Sequence, residues 1–292
     1  MEPEDAVGLE TLQDALALTE ADARVTALAR LGHEARAGGA SDALVNALVA
    51  AVQSGEGGVK ARLDLGEALG WLGDPRLRQP TDAGYFVDVP GELDPVSVAR
   101  FPVTNSEYRS WVDAGGYDDL GAWSDEGRAW LGQTADPWPA LAAGDGAGPF
   151  VVPNQPVVGI TWFEAAAYAK AAGARLVHAD ERVWVTRGSE RRPYPWGAPF
   201  GEGNANTREE ALARPCAVGL YVRDCTPEGI RDLAGNVAEW HGDAPVVGEE
   251  RLVHPGSWDQ PSLAAWAKAL TFERPTSRRS SLGFRLARDV GG

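Results

Sequence analysis

Residues 229–240 read Gly-Ile-Arg-Asp-Leu-Ala-Gly-Asn-Val-Ala-Glu-Trp. Gly235 permits a tight backbone turn, and Asn236 and Glu239 set side-chain oxygens beside exposed carbonyls. Hard oxygen donors favour Ca²⁺, and the same atoms can equally serve as hydrogen-bond partners that hold a loop. The surrounding chain has the same texture. From Tyr85 onward short strands alternate with Gly, Pro and Trp: Tyr85 to Val89 and Val96 to Phe101 read as strands. Thr104 to Asp113 reads as a helix with a capping box from Thr104 and Glu107. Phe163 to Ala172 and Ala179 to Val185 read as two more helices, while 115–160 and 187–230 are long irregular stretches. Loops of that length in a compact domain are ordered by packed aromatics or by metal.

Before Pro80 the pattern changes. Apolar residues recur at helical spacing around Leu9, Leu12 and Leu16, then Val25 to Leu31, Leu44 to Val52, and Val59 to Leu72. Four short helices result, broken at Gly38-Gly39 and Gly55 to Gly58 and stopped at Gly73-Asp74-Pro75. The ending ALGWLGDPR resembles a HEAT-type repeat. Two pairs are fewer than a free-standing solenoid needs, so these helices are expected to pack on the domain C-terminal to them. The division is 1–80, a helical region with a docking role, and 81–292, an α+β domain.

Of 292 residues 44% are hydrophobic and 24% charged, which excludes disordered and fibrous classes. The net charge of −15 disfavours nucleic acid and anionic membrane as partners. An acidic start, MEPEDAVGLE, and no apolar run of membrane-spanning length make a cytoplasmic location the expectation. Cys216 and Cys225 exclude a disulfide framework; two buried thiols or one bridge both remain open.

Six motifs then fall in a familiar order: FPVTNSEYRSWVDAGGY (101–117), PVVGITWFEAAAYAKAAGARL (156–176), RPYPWG (192–197), GIRDLAGNVAEW (229–240), PGSW (255–258) and RPTSRRSSLGFRLARD (274–289). The series resembles the formylglycine-generating enzymes, the sulfatase-modifying-factor domain. That resemblance implies a C-type-lectin-like α+β fold with a small twisted antiparallel sheet, two main helices and long ordered loops. It also implies structural calcium: Asp232, Glu239 and the carbonyls of Gly235 and Val237 match one site of the family, and Asn206 with Thr207 matches part of another.

The resemblance further implies a pair of copper-binding thiolates between PGSW and GFR. Here the interval Asp259 to Leu282 contains no Cys, and Cu(I) selects soft thiolate ligands. Related sulfoxide synthases take iron on His residues, partly from an N-terminal helical domain. This chain has four His, at 33, 178, 241 and 254, none paired at ligand spacing on a helix. Neither copper nor iron is expected, and the reading leans away from catalysis.

The tract 251–292 carries seven Lys or Arg against three acids, a local +4 in an acidic chain. It resembles the variable proteins of diversity-generating retroelements, which display a hypervariable segment on this fold ahead of the GFR motif. On this reading Asp259, Gln260, Ser262, Trp266, Lys268, Leu270, Phe272, Glu273 and Arg274 face solvent as a platform for a protein or small-molecule ligand, within a 251–285 binding surface. The alternative is a metal-dependent oxidase of the formylglycine-generating or sulfoxide-synthase type with a site the motifs do not reveal.

Overall fold

A computed structural model describes residues 11–90, 95–134, 148–244 and 249–290. The helical start comprises α1 (Leu12–Ala17), α2 (Ala21–Ala35), α3 (Asp42–Ser54) and α4 (Val59–Leu72). Thr11 and Ser41 accept N–H bonds at the starts of α1 and α3, a capping interaction that stabilises by about 1 kcal/mol. Helix α2 runs along α4, and the approach is close enough that a Cβ at Gly32 would sit 2.8 Å from the Ala68 Cβ.

The helices do not close their own core. Leu28, Leu48, Leu65 and Leu69 pack in one buried cluster with Cys216, Leu220 and Tyr221 from a later loop. Polar clasps secure the contact: Asn154 donates to the Gly66 carbonyl and to Asp74, both at 2.9 Å, and Arg214 pairs with Glu67 at 2.6 Å. The expected packing of the helices onto the rest of the chain is thus present.

The remainder of the chain forms two small sheets, where a single antiparallel sheet was expected. The first, ordered β1 (Phe86–Val89), β2 (Val96–Ala99), β8 (Leu286–Asp289), β3 (Arg175–Leu176), is antiparallel throughout. The second is ordered β6 (Thr271–Glu273), β5 (Arg251–His254), β4 (Ala238–Trp240), β7 (Leu282–Phe284), and its β4–β7 pair is parallel. Strands β7 and β8 are separated only by Arg285, so the chain passes from one sheet to the other at that residue. Short motifs give no hint of this split.

Helices α5 (Asn105–Asp113) and α7 (Trp162–Ala171) carry complete capping boxes, Thr104 with Glu107 and Thr161 with Glu164. Their buried faces meet the sheets around Tyr108, Ile160, Tyr168, Trp240 and Phe284. Each such aromatic contributes roughly 1.5–3 kcal/mol by burial. Helix α8 (Ala179–Arg187) lies next to β5, and α6 (Asp125–Gln133) occupies part of the stretch read as irregular. There Trp123, Trp130 and Phe163 stack at 6.0 Å spacings.

Candidate functional site

Strand β4 carries the Ala238-Glu239-Trp240 end of the 229–240 segment into the middle of the second sheet, fully buried. Asp232 and Asn236 take left-handed backbone at φ +56° and +69°. The turn between them is held by Asp224, whose carboxylate accepts the N–H groups of Leu233, Ala234 and Gly235 at 3.0–3.2 Å. A Cβ at Gly235 would lie 2.5 Å from the Asn206 carbonyl, which is why only glycine fits. Burial pushes Asp224 up to about 7, with the charge of Asp232 adding to it, and burial pushes Asp232 up to about 6.

Glu239 is 1% exposed and faces two guanidinium groups. Arg285 donates to Oε1 at 2.8 and 3.1 Å, and Arg182 donates to Oε2 at 3.3 Å. The same arginines satisfy the loop carbonyls: Arg182 donates to Leu233, and Arg285 to Ala99, Arg100, Arg231 and Asp232. Burial alone would raise the Glu239 carboxyl, but Arg285 and Arg182 outweigh it and hold the group below its usual range.

These contacts set the electrostatics of the calcium position expected at Glu239. Both carboxylate oxygens are already matched by fixed cations, and a divalent ion beside two guanidinium groups meets repulsion. Asp232 is turned away, accepting the Gly219 N–H at 2.7 Å, and the Gly235 carbonyl accepts from Val237 N–H. Asn206 spends its carbonyl on the Asn236 N–H, and the Asn206 Oδ1 and Thr207 Oγ1 atoms are buried with no hydrogen-bond partner among the described residues. The two expected sites thus differ: the oxygens around Asp232 and Glu239 are engaged by protein donors, whereas Asn206 and Thr207 each keep an unpartnered buried oxygen.

The two buried histidines lie beside this cluster. His254 accepts the Gly256 N–H at Nδ1, and its Nε2 faces the Trp266 carbonyl, both at 3.2 Å. His241 places Nδ1 3.2 Å from the Val177 carbonyl. Burial, reinforced by Arg182, lowers both, His241 to about 4, so both rings are neutral at physiological pH. Among the described residues no three His, Cys, Asp or Glu side chains gather as ligands. Cys216 and Cys225 are free thiols, and burial raises both, which leaves them poor nucleophiles.

The nine residues read as one platform divide into two sets. Trp266, Lys268, Leu270, Phe272 and Arg274 are exposed, every second residue, around buried or half-buried partners. Trp266 and Phe272 are 43% and 44% exposed, and Leu263 on the preceding turn is 79% exposed. Asp259, Gln260, Ser262 and Glu273 are half-buried and also bonded to the frame. Asp259 accepts from Ser257 at 2.7 Å and Ser281 at 2.8 Å and pairs with Arg279. The Gln260 carbonyl accepts from Arg208 N–H, the Ser262 N–H donates to Glu209, and Glu273 pairs with Arg279 at 2.9 Å.

Phe272 lies on β6, the edge of its sheet, and Trp266, Lys268 and Leu270 lie on the segment before it. An open groove of about 1230 Å³ adjoins it, with Lys268 and Leu270 on one side and Trp184, Arg187 and Arg191 on the other. His178 and Asp243 also line it, their Nδ1 and Oδ1 atoms 3.7 Å apart. Sequence reasoning reached Lys268 and Leu270 but missed the α8 wall, because nothing local links residues 184–191 to 268–270. It also missed Arg182, an unremarked helix residue whose partner lies 57 positions away.

The model of the sulfatase-modifying factor enzyme 1-like domain matches residues 88–290. The chain belongs to that family. The hercynine oxygenase of Mycolicibacterium thermoresistibile is 32% identical over 246 residues, which cover 70% of this chain and 52% of that protein. The inactive C-alpha-formylglycine-generating enzyme 2 of Mus musculus is 28% identical, covering 68% of this chain and 77% of that one. Among solved structures, Treponema denticola variable protein 1 aligns with a TM-score of 0.49 at 17% identity, over 67% of this chain and 84% of that chain. This sulfatase-modifying-factor chain spans about half the length of the hercynine oxygenases it matches. Among its described residues no helix is long and apolar enough to cross a membrane.

Proposed function

We propose that this family member recognises a ligand at the groove between α8 and the Trp266–Arg274 row. The observation that carries the reading is the run of exposed side chains Trp266, Lys268, Leu270, Phe272 and Arg274 on and around edge strand β6, of which Lys268 and Leu270 line the groove. Aromatic and cationic side chains of this kind anchor interfaces. Similarity to a protein named inactive is in keeping with recognition without turnover.

The second reading is a metal-dependent oxidase or oxygenase, and the relatives favour it over a purely binding role, since three hercynine oxygenases match at 30–32% identity. The donor set of this chain favours the first: no thiolate lies in 259–282, and His254 spends both ring nitrogens on backbone. Under the second reading the metal ligands come from outside the residues described, and the groove positions the substrate.

One experiment separates the two. The purified chain is loaded anaerobically with Fe(II) or Cu(I), desalted, analysed for metal, and followed for oxygen uptake with a thiol peptide. Recognition alone predicts less than stoichiometric metal and no uptake above buffer. Stoichiometric metal with uptake that Trp266→Ala reduces establishes the oxidase reading.

A further inference from the structure

A second cavity, of about 790 Å³, opens where the helical start meets the family domain. Its walls are Gly55 and Gly57 after α3, Arg62 of α4, and Trp196, Asn204 and Arg223 from the family domain. Arg62 is only 8% exposed, yet its Nε has no hydrogen-bond partner among the described residues. Its Nη1 reaches the Leu220 carbonyl only at 3.5 Å, and its guanidinium lies 5.1 Å from the centre of the Tyr221 ring. No carboxylate of the described residues comes within ion-pair distance of it. Glu210, which also contacts Tyr221, is spent on the Gly203 N–H at 2.8 Å and the Tyr221 hydroxyl at 3.0 Å.

A buried guanidinium without a counter-ion is costly, and the penalty falls when an anion supplies the missing charge and acceptors. We propose that this crevice binds a small oxyanion, a carboxylate or phosphate group, held by Arg62. Arginine suits either group because its planar fork matches two oxygens at once. Arg223 at the rim adds a second positive charge. Asn204 also lines the crevice, its side-chain oxygen accepting from Gly201 N–H and Trp196 Nε1, both at 3.1 Å. The half-buried Trp196 indole, stacked on Tyr194 at 5.2 Å, offers a flat wall for the organic part of the ligand. Glu202 also lines the crevice and disfavours bulky polyanions. The crevice shares no lining residue with the groove beside α8, so the proposal stands apart from the recognition reading. It also gives the junction between helices and domain a ligand-dependent stability.

The test is calorimetric titration and thermal melting of the full chain with sodium phosphate and, separately, sodium malonate, each against sodium chloride of matched ionic strength. The proposal predicts saturable binding of at least one anion with a rise in Tm. Phosphate alone or malonate alone identifies the headgroup. Arg62→Gln is expected to abolish the saturable response and Arg223→Glu to weaken it at least tenfold. Absence of saturable binding by either anion, or undiminished binding in Arg223→Glu, overturns the proposal. The exposed Arg223 keeps the test decisive even where Arg62→Gln does not fold.

Discussion

Strands β4 and β6 belong to one sheet, separated by β5 alone, and they solve opposite problems. At β4 every charge is buried and matched: Glu239 lies between Arg182 and Arg285, and the loop before it is pinned by Asp224. At β6 the middle side chain, Phe272, stands in solvent and contributes little to the interior. The difference separates buried, charge-matched structure from a surface that is open to solvent.

The largest break in that contrast comes at its buried side. Glu239→Ala strands two buried guanidinium groups and should cost about 3–5 kcal/mol in urea unfolding. A smaller loss, about 1–3 kcal/mol, is expected for Arg182→Gln, which leaves Arg285 in place. This variant also tests the calcium expectation. Wild-type Tm should be unmoved by millimolar Ca²⁺ or by EDTA, whereas Ca²⁺ should partly restore Arg182→Gln. A wild-type Tm that falls in EDTA would establish structural calcium.

The two capping-box glutamates extend the comparison to pH. Glu164 has Arg278 at 2.9 Å, but Glu107 has no such partner within 4.0 Å among the described residues, and burial pushes it up to about 7, against hydrogen bonds from Thr104 that pull it down. The folded state therefore holds this proton more tightly than the unfolded chain does. Its contribution is most favourable below about pH 4.5 and is lost as pH rises towards 7. Glu107→Gln should flatten that part of the stability profile, raising stability relative to wild type at pH 8 more than at pH 5.

Local patterns made much of the frame legible. The caps at Thr104 and Thr161, the leucine spacing before Pro80 and the six ordered motifs each depend on neighbours within a few residues, and the structure places helices where they point. What stayed hidden depends on distant partners. The passage of the chain between sheets at Arg285, the pairing of Arg182 with Glu239 and the α8 wall of the groove all join residues far apart. Helix α6 was missed although Ser124 caps it, because glycine and tryptophan dilute its apolar stripe. On the platform, composition could not distinguish Asp259, held by two serines and Arg279, from Lys268 in open solvent.

The smallest effect provides the most direct test. Trp266→Ala combined with Phe272→Ala should change unfolding free energy by less than about 1 kcal/mol, measured in urea beside Glu239→Ala. A near-wild-type curve for the double variant and a collapsed one for Glu239→Ala is the predicted pair. A double variant as unstable as Glu239→Ala would place those aromatics in the interior and contradict the account of an open recognition edge.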